Sequence, residues 1–185
     1  MVMNTLLLIL FISLLSSPSW SETLDDLVKR NDLYDQKFSD VPYTAEVTGD
    51  EQGSLKNGKR DGAWIGYYEN GELYYKGNYN NGKLEGAWVS YWDNGQLEYK
   101  GNYKDGKKES VWVRYWDNGQ LMMKSNFKNS KEDNAWVSYW DNGQLEHKGN
   151  YKDGKKESVW VSYNRDGTLY KYYTGTFKDG KKISD

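Results

Sequence analysis

Trp64, Trp88, Trp112, Trp136 and Trp160 stand 24 positions apart without a slip. Leu73, Leu97, Leu121, Leu145 and Leu169 keep the same step. So do Asn70-Gly71, Asn94-Gly95, Asn118-Gly119 and Asn142-Gly143, with Asp166-Gly167 closing the set. A fixed period of this length makes each unit one supersecondary element, which cannot bury its apolar face alone and depends on stacked neighbours. The phase is strict enough for "WVSYWDNGQLEYKGNYKDGKKESVWV" (Trp88 to Val113) to recur from Trp136 to Val161 with one change, Tyr99 to His147. Such near-identity points to recent duplication and does not require two copies of an active site.

Each unit holds two β-patterned runs. "AWVSYW" leads into a tight turn, then "QLEYKGNY", then a looser turn around "KDGKKES". Asn-Gly between alternating aromatics predicts a two-residue type I′ hairpin, in which both turn residues take positive φ. With Asn94-Gly95 as the loop, Asp93 faces Gln96, Trp92 faces Leu97, Ser90 faces Tyr99 and Trp88 faces Gly101. The other face then carries Tyr91 with Glu98, Val89 with Lys100 and Ala87 with Asn102. A three-residue loop would shift this register by one and mix the faces, so the two-residue reading is preferred. Large indoles opposite glycine, as at Trp88–Gly101 and Trp136–Gly149, gain space to lie flat; Trp112 would face Ser125. The expected repeat core is the five tryptophans and five leucines with Gly77, Gly101 and Gly149.

The fold class expected is therefore all-β: an elongated, twisted antiparallel meander of hairpins, around ten strands, growing in one dimension. Composition agrees, since 16% of residues are aromatic while only 37% are apolar in all, and aromatic rings suit a pleated surface. A flat sheet of this kind would leave a row of indoles in water. It must curl so that the Trp/Leu/Tyr face forms a concave core, or be covered. Little is available to cover it. "TLDDLVKRNDLY" (Thr23 to Tyr34) predicts a short helix with Thr23 as N-cap and Leu24, Leu27 and Val28 on one side. After it, Tyr43, Ala45 and Val47 take the places of Tyr99, Gly101 and Tyr103 in a degenerate capping unit.

The N-terminus is set apart. "LLLILFISLL" (Leu6 to Leu15) is uncharged and apolar, and "SSPSWS" follows with small residues at Ser19 and Ser21. This pattern reads as a secretory signal peptide cleaved after Ser21, although "MVMNT" lacks Lys and Arg. The run is short for a membrane span, which counts against the competing reading, an uncleaved anchor. The domain plan is 1–21 signal peptide, 22–52 N-terminal helix and cap, and 53–185 repeat array, with a periplasmic or secreted destination. Cysteine is absent, which removes disulfides, lipidated cysteine and thiolate metal sites.

The recurring Y-K-G-N-Y-K-D-G-K, W-V-S-Y and N-G-Q-L resemble the MORN repeat, more closely the variant form of bacterial proteins often labelled YwqK family antitoxin. The resemblance covers about Tyr43 to Lys182. It implies a β-hairpin meander and a non-catalytic role in binding proteins or membrane lipids. "KSNFKNSKEDNAW" departs from it at Ser125 and Ser130, and "KKES" departs at Ser110 and Ser158. An antitoxin against a cytosolic toxin belongs in the cytosol, at odds with the export signal.

Catalytic chemistry is sparse. His147 is the only histidine and takes the slot of Tyr99, without a nucleophile elbow to complete a hydrolase triad. Asp93, Asp117, Asp141, Asp105 and Asp153 all sit where turns want them, and the spacing of a calcium loop is missing. No enzyme, metal or cofactor is expected. The formal charge of −2 gives no pull toward nucleic acid. Charge is nonetheless segregated. The Asn-Gly edge is acidic, and the opposite edge gathers a candidate basic ridge that includes Lys104, Lys107, Lys108, Lys152, Lys155, Lys156, Lys181 and Lys182. Such a ridge either attracts an anionic surface or simply solubilises the turns. Trp92, Trp116 and Trp140 are candidate ligand-stacking aromatics for a glycan. The expected function is an exported, non-enzymatic protein-binding module or scaffold in the cell envelope. The alternatives are an antitoxin-like neutraliser of a toxin partner and a glycan- or anionic-lipid-binding surface protein.

Overall fold

The computed structural model describes residues 21–185; the signal peptide expected for residues 1–21 lies outside them except for Ser21. Fifteen strands form one sheet in which sequence neighbours are spatial neighbours. The pairing is antiparallel except where Glu22–Thr23 lies parallel to Ala45–Thr48. The chain is thus the all-β hairpin meander expected from its period.

Away from the turns, the strand faces follow the expected register. Ser90 pairs with Tyr99, Val89 with Lys100, Trp88 with Gly101 and Ala87 with Asn102. The turn itself differs. Gly95 has φ 79° while Asn94 is absent from the left-handed region, so Asp93-Asn94-Gly95 forms a three-residue loop. The Gly95 amide donates to the Trp92 carbonyl at 2.9 Å, and the Trp92 amide donates to the Gln96 carbonyl at 2.7 Å. Tyr91 therefore faces Leu97, not Glu98, and Glu98 is left over as a bulge that restores the register by Tyr99. The longer loop does shift the pairing, and one bulged residue shifts it back. The type I′ turns are the other ones. Asp105 and Gly106 have φ 51° and 78°, and Lys104 pairs with Lys107 across them.

The expected N-terminal helix is corrected. Only Leu24–Asp26 is helical, a single 3-10 turn held by the Thr23 amide and hydroxyl donating to the Asp26 carboxylate at 3.0 and 2.7 Å. The chain then forms a hairpin, Leu27–Arg30 with Leu33–Gln36, because Asn31 and Asp32 accept φ 48° and 62° as a two-residue turn. The capping slot also moves: Gly53, in strand Glu51–Lys56, pairs with Trp64 and lies beneath its ring. Ala45 does not hold that place.

The core is a ladder of rings along one face. The glycine under each ring belongs to the preceding strand. A side chain at Gly77 would strike Trp88, at Gly101 Trp112, and at Gly149 Trp160. The Cα pairing of Trp88 with Gly101 is as expected, but the ring over Gly101 comes from the next unit. Leu73, Leu97, Leu121 and Leu145 are part-buried beside the turn tyrosines, while Leu169 in the last unit is 46% exposed.

Two states of the ring alternate along the array. Trp64, Trp112 and Trp160 are buried, and their indole N–H groups donate to the carbonyls of Ser54, Asn102 and Asn150 at 3.2, 3.1 and 3.0 Å. Arg60, Lys108 and Lys156 lie over those three rings at 4.2, 4.5 and 4.4 Å from the centroid. Trp88 and Trp136 are only part-buried, with Leu84 and Glu132 at the position of the cation, and the Trp88 indole nitrogen has no partner. The structural repeat is therefore two sequence units long. The two near-identical copies begin two units apart, and each runs from a part-buried tryptophan to a buried one.

The ring face is covered by its own cations and tyrosines. Two apolar concavities lie on the opposite face of the sheet.

Candidate functional site

That opposite face is built by strand register. Lys76 lies between Ile65 and Val89, and Lys100 between Val89 and Val113. Lys124 lies between Val113 and Val137, and Lys148 between Val137 and Val161. A second row runs beside it. Asn78 faces Ala63, Asn102 faces Ala87, Asn126 faces Val111, and Asn150 faces Ala135. The two rows line concavities of about 650 and 560 Å³ that share Val111. Val111 and Val159 are 44% and 61% exposed. Among the described residues, none of these four lysines joins an ion pair. The trough is an apolar floor studded with cations and amides.

The basic ridge is placed at the type I′ turns, where Lys104, Lys107, Lys152, Lys155 and Lys181 are exposed. Lys108 and Lys156 turn inward over the rings, and burial lowers the pKa of both ammonium groups. Lys182 pairs with Asp185 at 2.6 Å and donates to the Lys171 carbonyl at 3.1 Å. On the same edge, the Glu85, Glu109 and Glu157 carboxylates accept from the amides of Asp105, Asn129 and Asp179 in the next turn.

Trp92, Trp116 and Trp140 are part-buried cross-unit braces. Each indole N–H donates to a carbonyl in the following unit, Tyr115, Tyr139 and Tyr163, at 3.1 Å. The turn asparagines do the same work. Asn70, Asn94, Asn118 and Asn142 donate to the carbonyls of Asp93, Asp117, Asp141 and Arg165. Their side-chain oxygens accept from the amide two residues on, as Asn94 does from Gln96 at 3.0 Å. The last unit has Asp166 in the asparagine slot, whose carboxylate accepts from the Thr168 amide at 2.9 Å and from the Thr168 hydroxyl at 2.6 Å.

His147 meets Ser162, a partner the sequence did not suggest. Nδ1 lies 2.8 Å from the Ser162 hydroxyl, and Nε2 lies 3.7 Å from Glu146. The trio resembles a hydrolytic arrangement only in its membership. Ser162 has no solvent exposure, and its hydroxyl also donates to the Tyr173 carbonyl at 3.2 Å. No substrate can approach it.

Burial lowers the His147 pKa, with Glu146 opposing and Lys156 assisting. As pH falls through about 6.5, the unfolded chain takes up this proton before the folded one, so stability falls with it. His147→Tyr, which restores the residue of the sister copy, is expected to flatten that acid-side loss. Denaturant midpoints at about pH 5 and pH 8 would check it.

The MORN repeat variant family matches four times in register, at residues 60–81, 84–105, 108–129 and 132–153. No curated protein matches the chain significantly. Each matched stretch holds one three-residue Asn-Gly loop, flanked by the strands that present the Val/Lys and Asn rows, and ends on the first residue of a type I′ turn. The chain belongs to the MORN repeat variant family.

Proposed function

We propose that this protein is an exported, non-enzymatic binding module that holds another protein on its Val/Lys face. The observation that carries the proposal is the division of labour between faces. The ring face is filled and braced by its own cations, whereas the opposite face keeps an open apolar trough shared across units. An exposed apolar patch rimmed by polar groups is the usual form of a protein-interaction surface. A one-dimensional array suits a scaffold, because each added unit lengthens the same surface. Export rests on the N-terminal apolar segment, and intact-mass measurement of the protein from its cells is expected to show a chain starting at Glu22. Binding is tested by affinity capture from envelope extract. Val111→Glu with Val159→Glu should abolish recovery of the partner without unfolding the array. Recovery unchanged by these substitutions would refute the assignment of the face.

A further inference from the structure

Resting on the protein-binding reading above, we infer that the trough's occupant is an extended acidic peptide segment running across the strands, with a carboxylate at about every third residue. Neighbouring strands lie about 4.8 Å apart, so equivalent residues of successive units are roughly 10 Å apart. Lys76, Lys100, Lys124 and Lys148 therefore form a row of four unpaired cations about 30 Å long. An extended peptide advances about 3.3 Å per residue, and a polyproline II chain completes a turn of three residues in about 9.3 Å. In the polyproline II conformation every third side chain returns to the same face and meets the next lysine, whereas a β-strand alternates its faces and would turn the third residue away.

The remaining chemistry of the trough fits a polypeptide. Ile65 and the valines separate the lysines and offer apolar contacts to the residues between carboxylates. The Asn78, Asn102, Asn126 and Asn150 side-chain amides have no hydrogen-bond partner among the described residues. Each offers both a donor and an acceptor, the pair that a peptide backbone presents in return. A flat anionic membrane would meet the rim lysines but could not reach a concave apolar floor. A headgroup array also has nothing apolar to place between the cations.

The test uses the purified protein and a fluorescent 13-residue peptide with Glu at every third position and Val or Thr between. A control peptide of identical composition has its glutamates clustered at one end. Anisotropy titrations are expected to show binding that weakens steeply with salt, and a clustered control about tenfold weaker. Each single Lys→Gln change in the row should weaken binding roughly 1.5- to 5-fold. The quadruple change should remove it. Equal affinity for the two peptides, or indifference to the lysine changes, would overturn the inference. So would displacement of the peptide by anionic phosphatidylglycerol vesicles that themselves need these lysines. If neither peptide binds while Val111→Glu with Val159→Glu still blocks partner capture, the acidic-peptide inference fails and the protein-binding reading stands. If that pair of changes leaves capture intact, the reading itself fails.

Discussion

Trp112→Ala is expected to destabilise the array by about 3 to 5 kcal/mol, far more than Trp136→Ala at the equivalent position one unit on. Trp112 is 2% exposed and packs edge-on to Tyr103 at 4.9 Å and against Tyr99 at 5.8 Å. Its indole satisfies the Asn102 carbonyl, and Lys108 lies over its face. Removing the ring opens a cavity, leaves a carbonyl without its donor and strips a part-buried ammonium of its aromatic partner. Trp136 lacks both the cation and a hydrogen bond, and it is already partly in water. About 1 to 2 kcal/mol is expected there. Guanidinium midpoints for the two variants would measure the difference. Equal losses would mean that the two-unit alternation has no energetic content.

Gly101→Ala has the next largest effect, about 1 to 3 kcal/mol. Its new methyl group would stand inside the Trp112 ring, which is held from above by Lys108 and tied at its nitrogen to Asn102. Neither ring nor strand can yield without breaking one of these. Gly77→Ser is expected to cost less than about 1 kcal/mol, although it too lies beneath a tryptophan. The natural chain supplies the precedent. Ser125 already fills this slot, pairing with Trp136, and it is buried. Trp88 is part-buried with its nitrogen unpaired, and its ring is held by packing alone, stacked on Tyr75 at 4.7 Å. The pair of variants asks whether the glycine is needed for the backbone or for the ring above it, and the ring is the expected answer.

Much of the fold was legible because the chain repeats itself. The Trp step gave the array, and the alternation around Trp88 and Tyr99 sorted the faces correctly from Ser90 outward. The turns were read the wrong way round. Asn-Gly signals a type I′ hairpin only if the asparagine side chain has no better use. Here it bonds both Gln96 and the next unit's Asp117, which favours negative φ at Asn94. Thr23 to Tyr34 misled because a cap signal at Thr23 and Asp26 serves a single 3-10 turn, after which Asn31-Asp32 closes a hairpin. The alternation of buried and part-buried tryptophans was written in Lys108 and Lys156 against Leu84 and Glu132. The two lysines read as ridge until their place over a ring was known. The trough was hidden for a similar reason: Val89 and Lys100 looked like a mixed solvent face. Only the cross-strand order turns them into a row.

The central claim is that the ring face folds the array while the Val/Lys face binds. Its most direct measurement pairs thermal unfolding with partner capture for Val111→Glu with Val159→Glu. Both valines are exposed, at 44% and 61%, and each substitution is expected to change stability by no more than about 0.5 kcal/mol. The account predicts an unfolding midpoint close to that of the parent chain and loss of the captured partner. A variant with an unchanged midpoint that still captures the partner in full would contradict it.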